Sequence, residues 1–121
     1  MSTEITEEGY QDIATHVVVG LWKYAELQTS SGTPLVRRVI ADNTNTFWKE
    51  TVLPTYVLET TVTGSDNDIP ELPFAIGKFA LYKTSVDTVP ALVIELPSEQ
   101  RIAARTDKVV IDVTVNIPEG V

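Results

Sequence analysis

The C-terminal stretch of the chain restricts the possible folds more than any other part of the sequence. Apolar β-branched residues occupy every second position from Val109 to Ile117. The polar positions between them are Asp112, Thr114 and Asn116. This alternation places the apolar side chains on one face of an extended strand, whereas a helix would scatter them round its circumference. The stretch is predicted to be a half-buried β-strand closed by Pro118, which requires a sheet to join and a layer to pack on.

Chain length and composition predict a single domain spanning residues 1–121, with residues 1–5 expected to form a flexible tail. The chain has 121 residues, of which 43% are hydrophobic, so a sizeable core is available. It contains no cysteine, which excludes disulfides, thiolate metal sites and cysteine nucleophiles. A core of this size does not need disulfides for stability. Synthesis in the cytoplasm is expected.

Charge and hydropathy argue against two classes of partner. Seventeen acidic residues and nine basic residues give a formal net charge of −8, which disfavours binding to nucleic acid or to an anionic membrane. No apolar run approaches the roughly eighteen residues that a membrane-spanning helix requires. The N-terminus is acidic, whereas a signal peptide begins with basic residues.

One helix is predicted, from residue 6 to about residue 16. Thr6 is a suitable N-cap, and Glu7 and Glu8 lie in the first turn, where the helix dipole favours negative charge. Apolar residues follow at helical spacing at Tyr10, Ile13, Ala14, Val17 and Val18. Three consecutive valines then leave residues 17–27 open between a continued helix and a strand.

Further strands are predicted between turns that are rich in proline, glycine and small polar residues. They span residues 35–41, 55–63, 74–83 and 91–96, the last being a short buried strand ended by Pro97. Residues 98–108 form either an extended connection or one helical turn. With the C-terminal strand, the count predicts an α+β, mainly β fold: an antiparallel sheet or sandwich of about five to six strands with one N-terminal helix.

The strand at residues 35–41 has an arginine on each face. Its alternation assigns Leu35, Arg37 and Val39 to one face, and the opposite face receives Val36, Arg38 and Ile40. A strand with mixed faces of this kind is predicted to lie at a sheet edge or in an interface.

No catalytic, cofactor-binding or metal-binding residue is predicted. His16 is the single histidine, and Asp12 four residues earlier makes a surface helix pair the preferred interpretation. Zinc is disfavoured because no set of three ordinary ligands can be assembled. Asp66 and Asp68 offer oxygen ligands for calcium, but the acidic loop at residues 64–73 lacks a full calcium-loop pattern and is predicted to be solvated.

Large aromatic residues and arginines are the best candidates for contacts with a partner, because these residue types dominate the centres of protein interfaces. For the tryptophans, a place in the core is the preferred interpretation and contact with a partner is the alternative. The candidate interface residues are Trp22, Tyr24, Arg37, Arg38, Phe47, Trp48, Arg101 and Arg105. In an acidic chain these arginines are expected to pair with acidic groups on a neighbouring copy.

The order of several short motifs resembles the N-terminal domain of tail-collar fibre proteins of tailed phages and related contractile particles. The matching segments are Ile5-Thr6 with Gly9, Val39-Ile40-Ala41-Asp42, Ala80-Leu81-Tyr82, Leu92 to Pro97 and Asp112 to Ile117. The resemblance implies a non-enzymatic virion structural protein without a cofactor, located in the tail or baseplate. It further implies contacts with other virion structural proteins and a homo-oligomer, in tail or baseplate assembly or fibre attachment.

Two other functions fit the same composition. A capsid decoration protein would have a similar size and strand content and a different partner. A carbohydrate-binding β module would present Trp22, Tyr24 and Trp48 together on an exposed flat surface for sugar stacking.

Overall fold

The structure, a computed structural model, describes residues 5–117, which form two packed antiparallel β-sheets and an N-terminal helix. The helix α1 spans Glu7–Thr15 and is followed by a π-helical segment, His16–Leu21. The strands are β1 (Tyr24–Gln28), β2 (Pro34–Val39), β3 (Thr46–Val52), β4 (Thr55–Thr63), β5 (Phe74–Tyr82), β6 (Leu92–Ile102) and β7 (Lys108–Asn116). The predicted mainly β fold with one N-terminal helix is confirmed. The described residues contain seven strands where about five to six were predicted, and β3 is a strand that the sequence did not predict.

The strands divide into a four-stranded sheet in the order β2-β1-β5-β6 and a three-stranded sheet in the order β3-β4-β7. All neighbouring strands within each sheet are antiparallel. The core contains apolar side chains from both sheets, and its largest fully buried members include Tyr56, Phe79, Leu27, Leu58, Ile76 and Leu81. The two sheets therefore share one hydrophobic core.

The C-terminal strand has the predicted alternation. Ile111, Val113 and Val115 are buried, whereas Asp112 and Thr114 are exposed. β7 pairs with β4 and forms one edge of the three-stranded sheet. The prediction that Pro118 closes this strand lies outside the described residues, as do residues 1–4 of the predicted tail at residues 1–5.

The N-terminal helix is confirmed within one residue of its predicted bounds. The Thr6 hydroxyl accepts a hydrogen bond from the Gly9 N–H at 3.1 Å, which satisfies one of the free donors in the first turn. The segment left open at residues 17–27 contains both structures. It continues the helix in π-helical form as far as Leu21, and β1 begins at Tyr24.

β2 is an edge strand of the four-stranded sheet, one of its two predicted positions. Its register shifts opposite the Leu27–Gln28 step, where Leu35 has no paired partner. Leu35 therefore packs against the core, together with Val36 and Ile40, although simple alternation assigns it to the face of Arg37.

The prediction of a short buried strand ended by Pro97 is wrong. β6 continues from Leu92 through Pro97 to Ile102, and its outward positions are exposed. Proline is tolerated because β6 lies at a sheet edge and the pairing with β5 is interrupted opposite Gly77. The connection at residues 98–108 is thus extended strand followed by a turn, in which the Asp107 carboxylate accepts hydrogen bonds from two main-chain N–H groups.

None of the helices within residues 5–117 has the length and apolar character needed to cross a lipid bilayer.

Candidate protein interaction site

One sheet edge, that of β7, forms the candidate site. β7 pairs with β4 over nine consecutive residues without a register shift. At the ends of this ladder, the Ile117 N–H donates to the Pro54 carbonyl at 2.8 Å and the Gly64 N–H donates to the Asp107 carbonyl at 2.9 Å. Because hydrogen-bonded pairs alternate in an antiparallel ladder, the odd-numbered residues of β7 direct their main-chain groups towards β4.

The even-numbered residues of β7 direct their main-chain N–H and C=O groups away from β4. These residues are Lys108, Val110, Asp112, Thr114 and Asn116. Within residues 5–117, no strand pairs with β7 on this side. We call this row of main-chain groups the free edge of β7. An unpaired strand edge is a template for another strand, because its donors and acceptors are already aligned.

Charged side chains are few along the free edge. Lys108 at the start of β7 and Asp112 at its centre are the two charged side chains of the strand, and Asp112 lies 3.4 Å from the Lys49 ammonium group. Val110 is 53% exposed. An open groove of about 170 Å³ lies between this part of β7 and the irregular part of β6, next to Pro97. Leu96, Pro97 and Gln100 of β6 form the other wall of this groove, so β6 lies beside the free edge near Val110.

The other three sheet edges each contain a feature that hinders strand addition. β2 begins at Pro34 and has a register shift, and β6 contains Pro97 beside an interruption of its pairing. β3 has a register shift between Trp48 and Glu50. Proline and β-bulges are common means of protecting edge strands in monomeric proteins. The edge of β7 has neither feature between Lys108 and Asn116.

The candidate interface residues lie in several separate places. Tyr24 and Arg37 are on the outer face of the four-stranded sheet. There the Arg37 guanidinium lies 2.8 Å from the Glu26 carboxylate and 3.6 Å from the centre of the Tyr82 ring. Arg37 also donates to the Thr84 carbonyl at 3.1 Å. Its charge is thus satisfied within the chain.

Arg38 points between the two sheets and is 4% exposed. Its guanidinium contacts Asp66 and Asp68, each at 2.9 Å, and donates to the Thr61 carbonyl at 2.8 Å. The same two carboxylates were the calcium candidate, and here they bind a guanidinium. Within residues 5–117, no group of three histidine, cysteine or acidic side chains is placed to hold a metal ion.

The remaining arginines are exposed. Arg101 lies on β6, and Arg105 lies in the turn after it. Arg105 lines an open polar cleft of about 510 Å³ together with Asp66 and Glu71 of the acidic loop. Among the described residues, neither arginine forms an ion pair. These two cations are therefore the members of the predicted arginine set that remain free to contact another molecule.

The aromatic candidates do not form one surface. The Trp48 ring packs edge-on against Tyr56, with centroids 6.1 Å apart, on the inner side of the three-stranded sheet. Trp22 lines an apolar groove of about 250 Å³ beside α1, and Phe47 lies on β3 opposite Glu59. Since Tyr24 is on the outer side of the other sheet, the three aromatics of the carbohydrate hypothesis do not share a flat platform.

His16 is exposed at the end of α1. Its main-chain N–H bonds to the carbonyls of Asp12 and Ile13, and no side-chain hydrogen bond joins His16 to Asp12 among the described contacts. The predicted surface position is confirmed, whereas the pair with Asp12 is not formed.

The free edge of β7 was not among the sequence-based candidates. Its signal was present as a regular alternating stretch that contains one charge and no proline. Whether such a stretch is central or at an edge depends on the strand order, which alternation does not encode.

Searches with the chain against protein-family models, curated proteins and solved structures found no match.

Proposed function

We propose that this protein is a non-enzymatic structural component of a tailed phage or phage-like particle and acts in tail or baseplate assembly or in fibre attachment. The observation that carries the proposal is the free edge of β7, which is long, regular and unpaired within residues 5–117. Edges of this kind serve to join protein chains by strand addition. A protein whose role is to assemble with others has use for an edge that a monomeric protein would protect.

A second exposed feature supports an assembly role. In the loop between β5 and β6, Val86 and Val89 are 81% and 79% exposed, more than any other large hydrophobic residue described. The Thr84 hydroxyl accepts hydrogen bonds from the N–H groups of Val86 and Asp87, so this part of the loop has a defined shape. Ordered, exposed apolar side chains of this kind suit contact with a partner protein.

The tail-collar resemblance provides the particle context. Its segments lie at the N-terminal helix, at the ends of β2 and β5, in β6 and in β7. The exposed Arg101 and Arg105 add cationic groups with which acidic neighbours in a particle can pair.

Localisation to purified particles tests the proposal. Antibodies against the recombinant protein are used for immunogold electron microscopy of gradient-purified particles from the source organism, with pre-immune serum as the control. We expect the chain to sediment with the particles and the label to lie on the tail or baseplate. Label on the head would instead support the capsid decoration alternative. Absence of the chain from the particle fractions would overturn both.

A further inference from the structure

We infer that two copies of this chain pair through their β7 strands, antiparallel, about a two-fold axis at Val113. The inference rests on the proposed function, since it names the partner in one assembly contact. It follows from the free edge of β7, whose main-chain groups are unpaired within the described residues. Two three-stranded sheets would then join into one continuous six-stranded sheet.

Hydrogen bonding fixes which registers are possible. The groups available for pairing belong to the even-numbered residues, so the hydrogen-bonded pairs must join even-numbered residues of the two copies. A two-fold axis at Val113 places Asp112 opposite Thr114 of the second copy and Val110 opposite Asn116. Every free donor and acceptor of these four residues then has an aligned partner.

Charge favours this register over its nearest neighbour. A two-fold axis at Asp112 would place two carboxylates directly opposite each other, and directly opposed like charges destabilise a strand pair. With the axis at Val113, each Asp112 faces a threonine. The lateral contact with Lys49 at 3.4 Å remains available in each copy.

The apolar face of β7 is also compatible with this register. Val113 would lie opposite its own counterpart, and Ile111 would lie opposite Val115 of the second copy. These residues belong to the core of each chain. Pairing about Val113 therefore aligns core residues with core residues and polar positions with the outer face.

A second copy suits the edge better than an unrelated strand for a geometrical reason. A two-fold contact uses the same surface of both chains, so one event pairs both free edges and closes the assembly. The contact involves one strand from each copy and is small, so dimerisation is expected at micromolar concentrations.

The first test compares the solution mass of the wild type with that of Thr114→Pro, by light scattering between roughly 10 μM and 1 mM, the range in which small interfaces become populated. The Thr114 N–H faces the free edge, so proline removes a donor to the second copy and leaves the ladder to β4 intact. Thr114→Val retains this N–H and is the matched control.

We expect the wild type and Thr114→Val to change from monomer to dimer with rising concentration, at low and at high salt. We expect Thr114→Pro to remain monomeric with an unchanged circular dichroism spectrum. A wild type that is monomeric throughout would overturn the inference, and so would a folded Thr114→Pro variant that dimerises equally well.

The second test reads the register directly and remains informative if Thr114→Pro fails to fold. The chain has no cysteine, so Asp112→Cys and Thr114→Cys each introduce a single thiol. In the proposed register these two positions face each other with Cα atoms about 5.5 Å apart, within reach of a disulfide. Identical positions lie diagonally about 7–8 Å apart, beyond that reach.

Under mild oxidation, a mixture of the two single variants is expected to form a covalent dimer, whereas each variant alone forms little. Equal cross-linking in all three samples, or none in the mixture, would overturn the register. The immunogold result is independent of both tests. If the particles contain the chain but the β7 strands do not pair, the proposed function stands and only this contact is rejected.

Discussion

Arg38 and Asp68 form a bidentate ion pair, in which Nε donates to Oδ2 at 2.9 Å and Nη2 donates to Oδ1 at 3.0 Å. The side chain of Arg38 is 3% exposed, whereas those of Asp66 and Asp68 are 25% and 43% exposed. This guanidinium attaches the acidic loop to the edge strand β2 and to the Thr61 carbonyl of β4. The cation is thus the buried partner of the three charged groups.

This difference in burial predicts that removing the two acids destabilises the protein more than removing the arginine. Neutralising both acids in Asp66→Asn/Asp68→Asn leaves a buried, uncompensated guanidinium, and we expect a loss of about 3 kcal/mol in the free energy of unfolding. Arg38→Met fills similar space and leaves two carboxylates that water can reach. We therefore expect a smaller loss in the free energy of unfolding, about 1–2 kcal/mol. Urea unfolding measures both values, and a larger loss in Arg38→Met would contradict the burial argument.

The alternation patterns of the sequence locate several of the local elements, but they predict no strand at β3 (Thr46–Val52). β4 spans Thr55–Thr63 as predicted, and Tyr56, Leu58 and Val62 share its buried face. β7 and α1 were also located, because strong alternation and an N-cap are encoded within a few neighbouring residues. By contrast, the local pattern predicts that Pro97 ends a strand. This prediction is wrong, because the tolerance of proline depends on the edge position of β6, which the pattern does not encode.

The contacts of the arginines were beyond local reasoning. Arg38 meets carboxylates 28 and 30 residues later in the chain, and this separation follows from packing of the two sheets. Arg37 and Arg38 are adjacent in sequence, yet they lie on opposite faces of β2. Alternation predicted that difference, but it did not show which face meets the core. The location of the free edge likewise required the strand order.

The Gln11 side chain attaches α1 to the three-stranded sheet through hydrogen bonds. Its amide Nε2 donates to the Thr51 carbonyl at 2.9 Å and to the Tyr56 hydroxyl at 2.8 Å. Its Oε1 accepts from the Leu53 N–H at 2.6 Å. We expect Gln11→Glu to lose about 1–3 kcal/mol, because a carboxylate cannot donate to the Thr51 carbonyl, which stays partly buried.

Hydrogen exchange of α1 measures this attachment directly. In Gln11→Glu, the amides of α1 should exchange faster, while those of β5 retain most of their protection. Asp12→Asn changes an exposed neighbour on the same helix and is the control. Unchanged exchange in α1 of Gln11→Glu would show that the Gln11 contacts do not hold the helix.

Gly77 and Gly64 lie so close to neighbouring main chain that a side chain at either position is expected to destabilise the fold. A Cβ at Gly77 would lie 2.7 Å from the Cα and N atoms of Ser30, and a Cβ at Gly64 would lie 2.7 Å from the Cα of Arg105. We expect Gly77→Ala and Gly64→Ala each to destabilise the fold by about 1–3 kcal/mol, since the obstructing atoms belong to the main chain.

Gly20 provides the matched control, because its Cβ would meet nothing closer than the His16 Nδ1 atom at 3.6 Å. Gly20→Ala replaces a glycine in a helical segment and is expected to be neutral or to stabilise by up to about 1 kcal/mol. Thermal unfolding of the three variants compares them directly. Equal destabilisation in all three would refute the argument from close approach.

Acid unfolding should depend on Asp107 in the turn between β6 and β7. Its carboxylate accepts hydrogen bonds from the N–H groups of Ala103 and Ala104 at 2.8 and 2.9 Å. These bonds favour the charged form and hold the pKa of Asp107 below its ordinary value of 3.8. Because the folded-state pKa is the lower one, the stabilisation is fully present above the unfolded-state value and is lost as the pH falls through the folded-state value.

Asp107→Asn removes this titration and keeps an oxygen that can accept from the two N–H groups. The stability difference between wild type and Asp107→Asn, measured by urea unfolding from pH 6 downwards, should be constant above about pH 5 and should shrink below the ordinary carboxyl pKa. Asp87→Asn, in the loop before β6, is the control. A difference that stays constant down to pH 2 would show that the turn does not depend on the charge of Asp107.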